Sequence, residues 1–163
     1  MKQSPPSTCV RIATSDDADA ACAAVRRSIA EICGPDYGHE EPVMSDWLAN
    51  KTPDNFRKWI ESPDAFSVVA VAGAGDVVGF GRMSRAGWVQ MCYVVPEALH
   101  QGYGKALLRA MEQQAVEWGL NTIGLNSSIT AKAFYERNGY RLTGEPKMMG
   151  STPGDFPFAK QLE

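Results

Sequence analysis

The sequence has few cysteines, two histidines and no long apolar run. Its four cysteines, Cys9, Cys22, Cys33 and Cys92, form no Cys-x-x-Cys pair and stand away from His39 and His100. That spacing argues against a zinc site, any other metal centre and a disulfide framework. Cys22, Val25, Ile29 and Cys33 recur at helical spacing and read as the buried stripe of a helix. The longest nearly apolar stretch, residues 65–74, contains Ser67 and Gly73. It falls far short of the ~20 residues that span a bilayer, so no membrane partner is expected. Residues 1–8 carry Pro5 and Pro6 and lack the apolar centre of a signal peptide. They read as a disordered tail on a cytoplasmic protein. Cations are not in excess either: 16 Lys+Arg face 19 Asp+Glu, a net charge of −3. Nucleic acid is therefore an unexpected partner, although a local basic pocket for one small anion is compatible with this balance.

What is present is enough for one ordinary domain. With 163 residues, 44% of them apolar, the chain can bury a core without staples. Residues 9–13 read as a strand. Ser15, Asp16 and Asp17 read as the acidic start of a helix that Gly34-Pro35 ends. Two shorter helical pieces follow, near 43–50 and 53–61. Three strands come next, 66–72, 77–84 and 88–95, separated by short turns and therefore antiparallel. Leu107, Leu108, Met111, Ala115 and Trp118 mark an amphipathic helix closed by Gly119. A strand at 121–127, a helix at 130–138, and strands beginning at Tyr140 and Phe156 complete the chain. Residues 145–155, rich in Gly and Pro, read as a loop. The expected fold is one α/β (α+β) domain over residues 9–163, with a mixed, mostly antiparallel sheet flanked by helices.

The informative segment runs from Val94-Val95-Pro96 to Gln101-Gly102-Tyr103-Gly104-Lys105. A strand ends, two glycines follow, and a helix begins. Free N–H groups and the positive end of the helix dipole meet there, which suits a phosphate. The same segment also reads as a tight turn that binds nothing. A Walker A loop is excluded, because Leu99 stands where its first glycine belongs and no Ser or Thr follows Lys105. The dinucleotide fingerprint is excluded by Leu107 at its third glycine.

With Val94-Val95-Pro96 upstream of Gln101-Gly102-Tyr103-Gly104, the segment resembles the pyrophosphate loop of the GNAT superfamily of acyl-CoA-dependent N-acyltransferases. Leu99 departs from the family's Arg or Gln. A second block, Ser128-Ile129-Thr130-Ala131-Lys132-Ala133-Phe134-Tyr135-Glu136-Arg137-Asn138-Gly139-Tyr140, resembles the family's Asn-x-x-Ala-x-x-Phe-Tyr-x-x-x-Gly-Phe/Tyr, with Ser128 in place of Asn. The resemblance implies splayed central strands and acetyl-CoA as co-substrate. It implies main-chain contacts to the pantetheine arm from Val94 and Val95, one N–H there serving the oxyanion. It places Gln101, Gly102, Tyr103, Gly104, Lys105 and Ser128 at the cofactor, and Tyr135 as the general acid on the leaving thiolate. A phenol with a pKa near 10 stays protonated at neutral pH and can give a proton to a thiolate. Adjacent helical side chains diverge by ~100°, so Phe134 is expected in the core and Tyr135 facing the cleft.

The acceptor side is less legible. By the same resemblance it draws on Tyr37, His39, Glu41 and Asn126, with Asp36, Glu40 and Trp47 nearby, although loop residues of these types are also simply solvated. Gln90 stands where many members have Glu and cannot act as a base. The resemblance implies acetyl transfer to a primary amine of a small molecule or peptide, with homodimer formation left open. A non-catalytic acyl-CoA-binding or sensor module is the alternative.

Overall fold

The computed structural model describes residues 9–149 and 152–163. The tail expected at 1–8 lies outside the described residues. Strand β1 (Cys9–Ile12) leads through a 3-10 turn at Ser15–Asp17 into helix α1 (Ala18–Ile32). The cap falls on Thr14 rather than Ser15, because Asp17 reaches back to accept from the Thr14 N–H at 2.8 Å. Arg11 pairs with the same carboxylate at 2.8 Å and holds it below the usual aspartate range. A turn at Gly34–Tyr37 separates α1 from α2 (Glu41–Leu48) and α3 (Pro53–Glu61).

Strands β2 (Ala65–Ala72), β3 (Asp76–Ser84) and β4 (Trp88–Val94) form the expected antiparallel meander. Helix α4 (Tyr103–Glu117), strand β5 (Thr122–Ser127), helix α5 (Lys132–Arg137) and strand β6 (Arg141–Leu142) follow. The stretch expected as loop contains strands: β7 (Lys147–Met149) and β8 (Thr152–Gly154) pair antiparallel before β9 (Phe156–Gln161). Three-residue strands are too short for alternation to reveal them. The main sheet has the order β1-β2-β3-β4-β5-β9-β6, and β4–β5 is its parallel pair.

Alternation along the strands divides the core into two halves. Val68, Ala70 and Met83 face α4 and pack with Leu107, Leu108 and Met111. Val69, Phe80 and Met91 face the other way and pack with Val25, Ile29 and Phe56 of α1 and α3. Each fully buried side chain of this size contributes about 1.5–3 kcal/mol. The α4 layer lies close on β3: a Cβ on Gly81 would stand 3.0 Å from Met111 Cε.

The site arises where the sheet comes apart. Strands β4 and β5 pair only at Trp88–Gly124 and Val89–Leu125. Beyond those residues β4 stays paired with β3 as far as Val94 and β5 with β9 as far as Ser127, so the sheet parts between β4 and β5. A bulge lies where they part: Arg82 pairs with Met91 and Met83 with Val89, which leaves Gln90 unmatched. Gln90 accepts a hydrogen bond from Arg82.

Candidate active site

The gap between β4 and β5 opens into a cavity of about 890 Å³ that reaches both faces of the sheet. One end is walled by Val94, Gly102, Gly104, Lys105, Ser128, Phe134, Tyr135 and Arg137. The other end is walled by Ser28, Cys33, Trp47, Lys51, Met91 and Tyr93. Alternation on β4 produces the division, with Cys92 and Val94 packing on the α4 side and Met91 and Tyr93 on the α1 side.

At the first end, α4 begins without a side-chain cap. Its first N–H groups have no intrahelical acceptor and concentrate the positive end of the dipole. Gly102 precedes the helix with φ of 90°, a conformation that glycine adopts freely. At Gly104 the missing Cβ leaves a narrow space, since that atom would stand 3.4 Å from the Phe134 ring and 3.8 Å from Val94 Cγ2. Lys105 and Arg137 add two cations to this wall. Uncapped donors, the room left by Gly104 and two cations suit a pyrophosphate.

Tyr135 is 5% exposed and reaches the cavity beside Cys92. Its ring meets Phe134 edge-on at 5.1 Å and Tyr140 at 5.7 Å. Phe134 is the less buried of the two neighbours, which corrects the expected division: the short helix brings both rings to the cavity, and Tyr135 is the one in the core. Burial pushes the Tyr135 phenol well above its ordinary pKa, and the Cys92 thiol up to about 12. Both groups therefore keep their protons at neutral pH. Behind them, buried Glu112 accepts from Tyr140 Oη at 2.8 Å, Lys160 Nζ at 3.1 Å and Arg109 at 2.6 Å. This cluster fixes the turn after α5, where the Tyr140 N–H donates to Tyr135 O at 3.1 Å.

The residues singled out in the sequence divide unevenly. Val94, Gly102, Gly104, Lys105, Ser128, Tyr135 and Asn126 line the cavity. Val95 does not: its N–H donates to Val78 O and its carbonyl accepts from Ala98, so both main-chain groups are already engaged. The Tyr103 side chain packs in the core, leaving only its main chain at the helix start. Gln101 donates to Glu97 O at 2.8 Å. Tyr37 is buried, with its hydroxyl donating to Ala30 O, and neither it nor exposed His39 and Glu41 reaches the cavity wall. Asp36 accepts from Thr130 N at 3.0 Å and Thr130 Oγ1 at 2.6 Å, so the turn at 34–37 is tied to the start of α5.

Sequence reasoning missed Cys92, Lys51 and Arg137. Alternation on β4 places Cys92 with Val94 and could have found it. A lysine two residues before a helix carries no such signal. Among the described residues no group of His, Cys, Asp and Glu could hold a metal ion. No helix there is long and apolar enough to cross a membrane.

The sequence profile of the acetyltransferase (GNAT) domain matches residues 33–151. No curated protein matches the sequence significantly. Among solved structures, the chain is similar to a GCN5-related N-acetyltransferase from Rhodopseudomonas palustris, with 23% identity and a TM-score of 0.84 over 99% of both chains. It is similar to the PaiA N-acetyltransferase from Thermoplasma acidophilum in complex with coenzyme A, with 19% identity and a TM-score of 0.78 over 95% of this chain and 99% of that one. The ribosomal-protein-S18-alanine N-acetyltransferase from Escherichia coli shares 17% identity and a TM-score of 0.69 over 96% and 94%. At these identities the structures speak for the fold, and the profile match speaks for the family. The chain belongs to the GNAT family of acyl-CoA-dependent acetyltransferases.

Proposed function

We propose that residues 9–163 form one catalytic unit that transfers acetyl from acetyl-CoA to a primary amine of a small molecule or peptide, with Tyr135 as the general acid. The observation that carries this reading is the buried Tyr135 hydroxyl in the cavity that opens where β4 leaves β5. Acetyl-CoA supplies a thioester carbonyl and a thiolate leaving group. The uncapped start of α4, with the main chains of Gln101 to Lys105 and the side chain of Lys105, receives the pyrophosphate. Val94, on the β4 edge beyond its last pairing with β5, and Ser128 border the arm.

The acceptor enters from the α1 side as a neutral amine and attacks the carbonyl carbon. A C–N bond forms and the C–S bond breaks. The amine's surplus proton goes to solvent, and Tyr135 Oη gives its proton to the departing sulfur, later regaining one from solvent. Gln90, spoken for by Arg82, takes no part as a base. A proton donor whose phenol stays neutral is available across the physiological range.

The second reading, a module that binds acyl-CoA without turnover, draws on Leu99, which is exposed and offers no grip on a phosphate. Free-thiol release from acetyl-CoA across an amine array separates the two. Thiol release that depends on an amine supports the enzyme. CoA binding without thiol release for any amine supports the module.

A further inference from the structure

Lys51 forms part of the cavity wall with only 8% of its surface exposed. Its main chain is held from behind. The Lys51 N–H donates to Leu48 O at 3.0 Å, and its carbonyl accepts from Arg26 at 2.9 Å and from Cys22 Sγ at 3.3 Å. Its ammonium donates to Trp47 O at 3.3 Å and Asn50 Oδ1 at 2.7 Å. Both acceptors are neutral, and an ammonium has three donors. Among the described residues Lys51 makes no ion pair. A buried cation without a counter-charge is costly, and burial here pushes the ammonium's pKa down.

Lys51 shares the α1-side wall with Trp47, whose carbonyl it meets, and with Tyr93, whose ring meets Trp47 edge-on at 6.5 Å. Asp155 is the carboxylate among the described lining residues. An ammonium in this wall with only neutral acceptors and no paired carboxylate among the described residues favours a ligand with a negative group over a polycationic amine. We propose that Lys51 anchors a carboxylate of the acceptor, so that the acceptor is an amino-acid-like primary amine whose apolar body rests among Trp47, Met91 and Tyr93. The inference rests on acetyl transfer as the function and adds the chemical class of acceptor. Lys51 is fixed by its main chain, so the carboxylate meets a preorganised partner.

The test compares kcat/KM for glycine, L-leucine and L-phenylalanine with that for each amino-acid amide, at saturating acetyl-CoA. The amide amines are the less basic, so deprotonation alone favours the amides. The expected result is a preference for the best acid over its amide of about 30-fold, or about 2 kcal/mol. In Lys51→Met that ratio falls at least about tenfold, and Lys51→Arg keeps most of it. CoA calorimetry on each variant reports folding. Inhibition of the wild-type protein by 3-phenylpropionate against 3-phenylpropanamide tests the same contact without any variant, and the acid is expected to be the stronger competitor. Turnover of the amides equal to that of the acids overturns the Lys51 assignment and leaves acetyl transfer standing. So does an acid preference that survives in folded Lys51→Met, or equal inhibition by the two inhibitors. CoA binding with no turnover of any amine overturns acetyl transfer, and the inference with it.

Discussion

Asp36 and Thr130, 94 residues apart in sequence, are joined by two hydrogen bonds of 3.0 and 2.6 Å to one buried carboxylate. The contact links the turn after α1, on the acceptor side, to the residues that start α5 and lead to Tyr135. Asp36→Ala removes at least these two bonds to a charged acceptor, each worth about 1.5–3 kcal/mol. The expected result is a fall of about 3–6 kcal/mol in unfolding free energy and a raised KM for the amine. Urea unfolding and steady-state kinetics check it, and unchanged stability and KM would dissolve the proposed link.

Gly104→Val is expected to weaken CoA binding more than it weakens the fold. Gly104 has no positive φ, and a Cβ there only touches Phe134, so the backbone accepts a side chain. The two further methyl groups of valine occupy the cleft between α4 and Phe134. Calorimetry with CoA and thermal unfolding of the same variant measure the two effects. Wild-type affinity in the folded variant would remove Gly104 from the binding site.

CoA and acetyl-CoA are expected to raise the melting temperature, and ATP is not. The cavity offers uncapped α4 donors for a pyrophosphate and a long cleft beyond it, whereas the phosphate-loop patterns of nucleotide-binding proteins are absent. At 100 times Kd the gain is about 2.7 kcal/mol, a shift of several degrees. Thermal unfolding at millimolar ligand decides it, and an equal shift with ATP would point to a plain anion site.

Stability should hold from neutral pH to about pH 9 and then fall as pH rises. Burial raises the folded-state pKa values of Cys33, Cys92, Tyr93, Tyr135 and Tyr140 above their ordinary values of 9.0 for thiols and 10.0 for phenols. Above those ordinary values the unfolded chain loses protons that the folded chain keeps, so unfolding becomes easier. Melting temperatures measured between pH 7 and 10.5 check the sign. A melting temperature that stays level to pH 10.5 would contradict the burial of these groups.

Much of the fold was legible because its signals are local. Gly34-Pro35, Pro96 and Gly119 mark ends, and the stripe of Leu107, Leu108, Met111 and Ala115 is buried as its period requires. The α4 end of the cavity was legible for the same reason: Gly102 and Gly104, close in sequence, both line it at the start of α4. The α1 end was not. Its wall is assembled from α1, α2 and β4, far apart in sequence, and Tyr37, His39 and Glu41 look functional by type while the structure places them elsewhere. Lys51 looks like any solvated lysine until Arg26 and Cys22 are seen to hold its main chain against α1. The β4 bulge at Gln90, where the strands part, leaves no mark in composition or period.

The central claim is that Tyr135 gives a proton to the departing thiolate. The most direct measurement compares single-turnover acetyl transfer by wild-type protein and Tyr135→Phe, using one verified amine, with CoA affinity measured on both. The substitution removes one hydroxyl and almost no volume. The account predicts a rate lower by about 10²-fold with CoA affinity nearly unchanged, and a smaller loss with acyl donors whose thiols are more acidic. An equal rate in both proteins, with chemistry shown to be rate-limiting, would contradict it and leave Tyr135 as a core aromatic.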